Sequence, residues 1–408
     1  MIGAGRHRPR MSLVKALLLE SIHPEATRLL IEAGYEVENR AGALGEDELA
    51  RSLDGVSLLG IRSRTNLSER VLAAAPDLRA VGAFCIGTNQ IDLDAAARAG
   101  IACFNAPYSN TRSVVELAMA EIIVLARHLT DKNKQMHEGC WDKSAAGAHE
   151  VRGRTLGLVG YGNIGSQLSV LAESFGMRVA YYDVVDKLAL GNARRVERLD
   201  ELLATCETIS VHVDGRASNK NLFGQAEFAA MRPRALFLNL SRGFVVDTSA
   251  LADALRSGHL AGAGVDVFQT EPKSAGDPFV NDLQGLANVI LTPHVGGSTL
   301  EAQVDIGRFT AGKLIDYMAT GSTVMSVNLP QVQVSAQQGR RVLHIHRNVP
   351  GVLANLTRVL SEHDANIAFQ ALNTTNEVGY VVTDVTYAST GLADELAQLP
   401  ATIRVRVI

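Results

Sequence analysis

The sequence predicts an α/β protein with two doubly wound parallel-sheet domains and a smaller βαββαβ domain at the C-terminus. Two observations predict the sheets. Short apolar runs alternate with amphipathic stretches up to Leu291, and they are too many for one simple sheet. A third observation predicts the small domain, because composition changes after Thr320 and a compact order of strand and helix patterns follows.

The apolar runs are of strand length, rich in Val, Ile, Leu or Phe, and followed by helical patterns. The predicted strands are Ala16–Leu19, Ser57–Ile61, Ala80–Cys85, Ile101–Phe104, Thr155–Gly160, Arg178–Tyr182, Thr208–Val213, Ala235–Leu240, Gly262–Val267 and Val289–Leu291. Long helices are predicted over Asn110–Leu129 and about Thr299–Met318 from residues recurring at helical spacing. Met1–Met11 is basic and rich in Gly, Arg and Pro, so we expect a disordered tail or an upstream start before a functional Met11.

Composition limits the classes of partner. Hydrophobic residues make up 47% of the 408 residues and the formal net charge is -4, which favours a globular protein with a large core. This charge gives no electrostatic case for a nucleic acid or an anionic membrane. None of the 4 cysteines is spaced as CxxC or lies near paired histidines, so we expect reduced cytoplasmic thiols and no metal site.

A glycine-rich loop, Gly160-Tyr-Gly162-Asn163-Ile164-Gly165, follows one predicted strand and opens a predicted helix. The first glycine suits a tight turn, the second lets backbone approach a pyrophosphate, and the third lets the helix pack on the strand. Asp183 ends the next predicted strand, where a carboxylate accepts hydrogen bonds from a ribose diol and disfavours a 2′-phosphate. The pattern therefore predicts a Rossmann domain that binds NAD, although Lys187 and Arg194 lie near Asp183 in sequence.

Polar residues follow three successive predicted strands of the same domain. Arg242 lies in Asn239-Leu240-Ser241-Arg242-Gly243, Glu271 follows the strand that ends near Asp266, and His294 begins His294-Val295-Gly296-Gly297. Ligands of open parallel sheets bind beyond the carboxyl ends of strands, so we expect these side chains to face the nicotinamide.

The residue types suit hydride transfer from a secondary alcohol. His294 is a suitable acid/base near neutral pH, Glu271 can hold the imidazole, and Arg242 can clamp a carboxylate. Asp266 is expected either to contact the nicotinamide amide or to stabilise its loop. His212 is a competing imidazole that we expect to line the cofactor pocket.

The tail begins with a polar stretch, Gly321–Gly339, that predicts a linker. Strand, helix, two strands, helix and strand are then predicted over Arg341–Ile345, Val349–Leu360, Asn366–Leu372, Val378–Tyr387, Leu392–Leu399 and Ile403–Ile408. This order is that of ferredoxin-like domains.

At the Arg242, Glu271 and His294 segments the chain resembles the D-isomer-specific 2-hydroxyacid dehydrogenase family. The stretches that carry the resemblance further are Ile61-Arg-Ser-Arg-Thr65, Phe84-Cys-Ile-Gly-Thr-Asn-Gln90, Phe104-Asn-Ala-Pro107, Ser109-Asn-Thr-Arg-Ser113, Gly160-Tyr-Gly162 and His294-Val-Gly-Gly-Ser-Thr299. These stretches are most similar to members that oxidise 3-phosphoglycerate to 3-phosphohydroxypyruvate with NAD, the first step of serine synthesis.

The resemblance implies further roles. A flavodoxin-like domain would bind substrate, a Rossmann domain NAD, and a tail similar to ACT regulatory domains the effector L-serine. The implied boundaries are 12–109 with 298–335 for the substrate-binding domain, 110–297 for the Rossmann domain and 338–408 for the ACT domain. The implied substrate residues are Arg62, Ser63, Arg64, Ile86, Gly87, Asn110, Trp141 and Lys143, the last two reaching a neighbouring subunit of a homotetramer. The implied serine ligands are His346, Asn348 and Asn366. The segment Gln337-Gln338-Gly339 has one glycine where similar members have a pair, which puts the strength of regulatory coupling in doubt.

Two alternatives stay open at this point. The chain could reduce related 2-oxo acids, such as glyoxylate, hydroxypyruvate or 2-oxoglutarate, or it could be an NAD-sensing corepressor that acts through binding partners. Purely structural roles for single residues also remain open. Arg62 and Arg64 could form a solvated surface, Trp141 could anchor an interface, and Asn348 could cap a helix.

Overall fold

The structure, a computed structural model, describes residues 14–272 and 276–408, so the tail predicted at Met1–Met11 lies outside the described residues. The described residues form two compact units, 14–107 with 303–408 and 108–302. Two parallel sheets and one antiparallel sheet make up the fold, which confirms the predicted α/β class.

The first unit begins with a five-stranded parallel sheet in the order β2-β1-β3-β4-β5. Its strands are β1 (Lys15–Leu18), β2 (Glu36–Asn39), β3 (Val56–Ile61), β4 (Ala80–Ala83) and β5 (Ala102–Asn105), and its helices are α1 (Pro24–Glu32), α2 (Glu46–Ser52), α3 (Glu69–Ala73) and α4 (Leu93–Arg98). Neighbouring residues of β1 enter opposite cores, Leu17 on one face of the sheet and Leu18 on the other. This two-sided burial explains why the inner strands are continuous apolar runs, and the strand order is that of flavodoxin-like domains.

The second unit is a seven-stranded parallel sheet in the order β12-β11-β10-β9-β6-β7-β8. Its elements are α5 (Thr111–Ala126), α6 (Leu129–His137), β6 (Thr155–Val159), α7 (Asn163–Ser174), β7 (Arg178–Tyr182), β8 (Arg194–Arg195), α8 (Leu199–Thr205), β9 (Thr208–Val211), α9 (Gln225–Ala230), β10 (Ala235–Asn239), α10 (Thr248–Arg256), β11 (Leu260–Val265) and β12 (Val289–Leu291). The order reverses between β6 and β9, and ligands of doubly wound sheets bind outside the strand ends at such a point.

Helix α11 (Leu300–Thr320) leads to the C-terminal antiparallel sheet, whose strand order is β14-β15-β13-β16. The elements are β13 (Arg340–Arg347), α12 (Val352–Glu362), β14 (Ile367–Thr374), β15 (Val378–Val385), α13 (Leu392–Ala397) and β16 (Thr402–Val407). One face packs on α12 and α13 through Val342, and the other joins the core of the five-stranded sheet through Leu343 and Ile345. The predicted βαββαβ order is confirmed.

The polar segment predicted as a linker, Gly321–Gly339, contains no helix or strand but is packed over much of its length. The buried Thr323 hydroxyl donates to the Pro330 carbonyl at 2.7 Å and accepts from the Val332 amide at 2.8 Å. Such internal hydrogen bonds replace the water that a polar linker would otherwise need. These internal hydrogen bonds allow a segment of polar composition to pack within the fold.

A buried ion pair fastens the end of this segment to the antiparallel sheet. The Arg341 guanidinium, 1% exposed, donates to the Asp384 carboxylate at 2.6 and 2.8 Å and to the Ser335 carbonyl at 3.0 Å. Gly339 takes a left-handed φ of 83°, and a Cβ there would overlap the Val385 carbonyl. The single glycine of Gln337-Gln338-Gly339 is thus required by a close approach of two backbones.

Two strands of the described residues, β2 and β8, were not predicted from the sequence. Both are exposed and polar, so neither carries the apolar run by which the buried strands were predicted. Within the described residues no helix is long and apolar enough to cross a membrane. No cluster of His, Cys, Asp or Glu in the same residues could hold a metal ion.

Candidate active site

The glycine loop between β6 and α7 is shaped by two close packing contacts and one open position. Gly160 has a φ of 93°, and a Cβ on it would lie 2.6 Å from the His212 carbonyl oxygen. A Cβ on Gly165 would overlap the Gly160 carbonyl, whereas a Cβ on Gly162 would meet no atom within 4 Å. The first and third glycines therefore serve internal packing, and the second leaves space outside the loop.

This open position fits a dinucleotide phosphate. Gly162 precedes α7 as its N-cap and offers no side-chain cap, and the helix begins at Asn163 and Ile164. The first amide groups of a helix point out of its N-terminus and attract anions. The loop can thus bring backbone N–H groups to a pyrophosphate in the space that a side chain at Gly162 would fill.

Asp183 and His212 border the loop. Asp183, after β7, accepts a hydrogen bond from the Tyr161 amide at 2.8 Å, which fixes its carboxylate beside the loop. His212, after β9, shares a hydrogen bond of 2.8 Å with the Ser210 hydroxyl through Nε2. Burial lowers the pKa of His212 to about 4, so it is neutral at physiological pH and poorly suited to carry a proton there.

Asp266 fastens the loop that carries His294. The buried Asp266 carboxylate accepts from the Thr292 hydroxyl at 2.6 Å and from the Val295 and Gly296 amides, each at 2.8 Å. Its own carbonyl accepts from the His294 amide at 2.8 Å. These bonds hold His294 at a φ of 55°, a left-handed conformation that a non-glycine residue adopts only when its surroundings impose it. They use both carboxylate oxygens, which favours loop stabilisation for Asp266.

His294 and Glu271 form the central pair. The His294 Nδ1 lies 2.9 and 3.1 Å from the two Glu271 carboxylate oxygens. Because an ionised carboxylate only accepts, Nδ1 carries the proton and Nε2 is left as the basic nitrogen of the neutral ring. About half of the His294 side chain is exposed, so Nε2 is accessible to a ligand.

The two groups shift each other's pKa in opposite directions. The hydrogen bond to Glu271 raises the pKa of His294 above its usual value, with burial opposing it and the Glu271 and Asp266 charges adding to it. Burial opposes ionisation of Glu271, yet the hydrogen bond and charge of His294 lower its pKa overall. The pair is therefore an ionised carboxylate that stabilises an imidazolium.

Arg242 belongs to the neighbouring strand end. Asn239 organises this turn, because its side chain accepts from the Ser241 amide and hydroxyl and donates to the Arg242 carbonyl at 3.1 Å. A Cβ on Gly243 would overlap the Phe268 backbone, so the Arg242 turn lies directly against the segment that leads to Glu271. The nearby Arg242 charge also lowers the pKa of both Glu271 and His294.

Asn110 is brought to the same loop. A Cβ on Gly297 would overlap the Asn110 side-chain amide, so the glycine permits close contact at this point. The Asn110 Oδ1 is buried and has no hydrogen-bond partner among the described residues. An acceptor in this state suits a ligand that donates a hydrogen bond.

Glu121 is a buried acid that the sequence showed only as part of a helical pattern. It lies on α5 against Gly264, where any side chain would overlap its carboxylate. Burial, with the Asp266 charge adding to it, raises the pKa of Glu121 to about 8. Glu121 is therefore mostly protonated at neutral pH, which limits charge repulsion behind Asp266.

The predicted phosphate-binding arginines lie in the first unit, in the loop after β3. Glu20, which follows β1 and was not predicted from the sequence, accepts from the backbone amides of Arg62, Arg64 and Thr65 at 3.1, 3.0 and 2.9 Å. Glu20 is 3% exposed and has a left-handed φ of 61°. It fixes the backbone of both arginines, and its position directly after a predicted strand was the available signal.

Gln90 joins this loop to the one after β4. Its side-chain amide donates to the Arg62 carbonyl at 2.6 Å and to the Gly87 carbonyl at 3.2 Å. Asn105, at the end of β5, donates to the Ile86 carbonyl at 2.6 Å. The structure thus brings Arg62, Ser63, Arg64, Ile86 and Gly87 together at the carboxyl ends of β3, β4 and β5.

The remaining predicted residues lie elsewhere. Trp141, 72% exposed, and Lys143 lie in an irregular exposed segment of the second unit. In the antiparallel sheet His346 is buried with Nε2 unpartnered among the described residues, and Asn348 and Asn366 are exposed. Asn348 donates to the Thr375 carbonyl at 2.8 Å, and among the described residues no hydrogen bond joins Asn366 to His346 or Asn348.

Comparisons with known proteins agree with this architecture. Residues 119–296 match the D-isomer specific 2-hydroxyacid dehydrogenase NAD binding domain, and residues 342–405 match the AHAS small subunit-like ACT domain. The chain is 49% identical over 400 residues to D-3-phosphoglycerate dehydrogenase of Escherichia coli K12, covering 97% of each chain. The chain belongs to the D-isomer-specific 2-hydroxyacid dehydrogenase family.

Two further proteins are similar. The Haemophilus influenzae D-3-phosphoglycerate dehydrogenase is 49% identical, over 97% of this chain and 98% of the relative. The D-lactate dehydrogenase of Aquifex aeolicus, solved with NAD and lactic acid, superimposes with a TM-score of 0.65 at 26% identity, over 75% of this chain and 96% of that one. As a member of this family the chain is an NAD-dependent oxidoreductase with a Rossmann domain and an ACT domain.

Substituting Gly162 tests the phosphate position. Gly162→Ala meets no protein atom, so the melting temperature should stay unchanged while NADH affinity falls by about tenfold or more, equivalent to about 1.4 kcal/mol. NADH fluorescence titration and thermal unfolding measure the two effects. Gly312→Ala, also in open space but on α11, is the matched control. Unchanged NADH affinity in Gly162→Ala would contradict the assignment.

Substituting Glu271 tests the proton-carrying pair. Alcohol oxidation requires neutral His294, so kcat/KM should rise as pH increases through its pKa. Glu271 raises that pKa, so Glu271→Gln should move the rising limb to lower pH and reduce the plateau. A pH profile of kcat/KM measures both effects, with Glu116→Gln on the exposed side of α5 as control. If the rising limb of the kcat/KM profile stays at the same pH in Glu271→Gln, His294 titrates independently of Glu271 and the prediction is wrong.

Proposed function

We propose that the chain is a D-3-phosphoglycerate dehydrogenase, which oxidises 3-phosphoglycerate to 3-phosphohydroxypyruvate with NAD in serine biosynthesis. The observation that carries the proposal is the His294–Glu271 pair, with the proton on Nδ1 and a basic, accessible Nε2. Identity of 49% with two D-3-phosphoglycerate dehydrogenases along nearly the whole chain supports this substrate among those of the family.

At the hydroxyl end of the substrate, His294 Nε2 accepts the proton of the alcohol during oxidation and returns it during reduction. Glu271 keeps the imidazole in the required tautomer and stabilises its charged form. Arg242 binds the substrate carboxylate and, as a fixed cation, polarises the adjacent oxygen. When bound, NAD supplies the acceptor for the hydride that leaves the carbinol carbon.

At the phosphate end, Arg62 and Arg64 bind the phosphoryl oxygens. Their guanidinium groups suit phosphate geometry, and Glu20 holds the backbone of their loop through its amide groups. Arg64 Nε lies 3.7 Å from Glu20, too far for a hydrogen bond, while its side chain is 53% exposed. The Arg64 side chain therefore remains able to bind a second anionic group.

The ACT domain is proposed to bind L-serine as an inhibitor. His346 has an unpartnered buried Nε2, and the exposed Asn348 follows it at the turn from β13 to α12. Asn366 is proposed to complete the site from a second ACT domain. The hydrogen bonds of Arg341 to Ser335 and Asp384 hold Gly321–Gly339 against the antiparallel sheet, which makes a rigid connection through which serine binding can reach the five-stranded sheet domain.

A homotetramer in the cytoplasm is proposed as the working form. Trp141 is the sole tryptophan and is 72% exposed, as expected for a side chain that a neighbouring subunit covers. Lys143 would reach the neighbouring active site by the same contact. Cys103 and Cys206 are buried thiols, which fits a reducing compartment.

Arg62→Ala separates the phosphate role from the shared chemistry. Its kcat/KM for 3-phosphoglycerate should fall about 10- to 100-fold, because a hydrogen bond to a charged group contributes about 1.5–3 kcal/mol. Reduction of glyoxylate, which has no second anionic group, should change little. Initial-rate assays with each substrate measure this, and L-serine added to the same assay measures inhibition.

The exposed Arg70→Ala is the matched control from the same unit. Equal kinetics for Arg62→Ala and Arg70→Ala with 3-phosphoglycerate would contradict the phosphate role. Activity confined to unphosphorylated 2-oxo acids would favour the related reductase.

A further inference from the structure

Three arginines meet where the antiparallel sheet packs on the five-stranded sheet domain. Arg404 and Arg406 lie on β16, and Arg79 directly precedes β4. The Arg404 guanidinium donates to the Leu78 and Pro76 carbonyls. The Arg406 guanidinium donates to the carbonyl of Tyr317 on α11 at 2.8 Å and lies over its ring, 5.0 Å from the centroid.

These side chains line a small, partly open cavity in the first unit. The cavity measures about 10 Å³, and its lining consists of Arg79, Tyr317, Leu343, Ile345, Arg404 and Arg406. A space of this size holds about one water-sized sphere. Its walls therefore combine three cationic groups and one phenol with two aliphatic side chains.

The charges around this cavity are not balanced by the protein. No described carboxylate lies within 4.0 Å of Arg79, Arg404 or Arg406, and the acid that acts on Arg79 and Arg404 from a greater distance, Asp77, is exposed. Burial lowers the pKa of Arg404 and of Arg79, and Arg406 lowers both further. Three partly desolvated guanidinium groups thus repel one another.

Tyr317 adds a hydrogen-bond donor to the same space. The residue is 4% exposed, and its hydroxyl makes no hydrogen bond to another described residue. Burial raises the pKa of Tyr317, against the lowering effect of the three arginines, so the phenol keeps its proton at neutral pH. The Arg79 side chain likewise makes no hydrogen bond within the described residues, so both groups are available to a ligand.

We infer that this cavity binds a monatomic anion of the chloride class, held by Arg79, Arg404, Arg406 and the Tyr317 hydroxyl. An anion there offsets the repulsion among three cations and accepts hydrogen bonds that the protein leaves unmade. It also joins Arg79 of the five-stranded sheet domain to the last strand of the ACT sheet. The small volume of about 10 Å³ favours a monatomic anion over a larger ion such as phosphate.

Two measurements on the full chain test the site. In crystals soaked with bromide, an anomalous peak is expected between the Arg79 and Arg404 guanidinium groups. In solution, replacing gluconate by chloride at constant ionic strength should raise the melting temperature. Above its dissociation constant, each tenfold rise in chloride multiplies the ratio of folded to unfolded protein by about ten.

Variants distinguish a built site from general salt effects. Arg79→Gln should abolish the chloride response and the bromide peak, and Tyr317→Phe should weaken both without changing the charge. Arg98→Gln, an exposed arginine of α4 in the same unit, should respond as the wild type does.

Three outcomes overturn the inference. They are the absence of bromide density in the wild type, an equal chloride response in wild type and Arg79→Gln, and a phosphate response that exceeds the chloride response and depends on Arg79. The last would mean that the site opens to take polyatomic anions.

Discussion

The hydrogen bonds of the Asp266 carboxylate are the constraint on which the site depends. They hold Val295 and Gly296, and thereby keep His294 in a left-handed conformation that is uncommon for a non-glycine residue. In that conformation Nδ1 meets Glu271 and Nε2 remains exposed. Glu121 behind Asp266 is mostly protonated at neutral pH, so a second negative charge does not compete with these bonds. The left-handed backbone of His294 is thus maintained by a buried carboxylate that accepts hydrogen bonds from the residues on either side of it, Thr292, Val295 and Gly296.

Much of the fold could be predicted, because a buried strand is visible in the sequence as a short run of apolar residues. Strands buried on both faces, such as β4 and β10, are apolar runs whose first residues were predicted correctly and whose ends were predicted one or two residues too late. The exposed β2 and β8 contain no such apolar run, since they are held in the sheet by backbone hydrogen bonds to a neighbouring strand. The polar segment Gly321–Gly339 was predicted as a linker for the same reason, because composition does not reveal the internal partners of Thr323.

Site residues could be predicted where a polar side chain directly follows an apolar strand. They were harder to predict where a side chain acts by binding backbone amide groups of a distant segment. Arg242, Glu271 and His294 stand out as polar residues after apolar strands, and the structure brings Glu271 and His294 together. Glu20 was missed, because its partners lie 42 to 45 residues further along the chain and are amide groups that any sequence has. Gly162 and Gly165 look alike in sequence, yet one leaves open space and the other packs against a carbonyl. Such differences arise only from the approach of distant segments.

The most direct measurement is the initial rate of NAD reduction by the full chain with 3-phosphoglycerate, together with NADH affinity, in wild type and His294→Asn. Asparagine tolerates the left-handed backbone, so this variant removes the base and keeps the loop. We expect turnover by the wild type, and a rate about 10²- to 10⁴-fold lower in the variant with NADH affinity retained. Tight NADH binding without turnover in the wild type, or equal turnover in both proteins, would contradict this expectation.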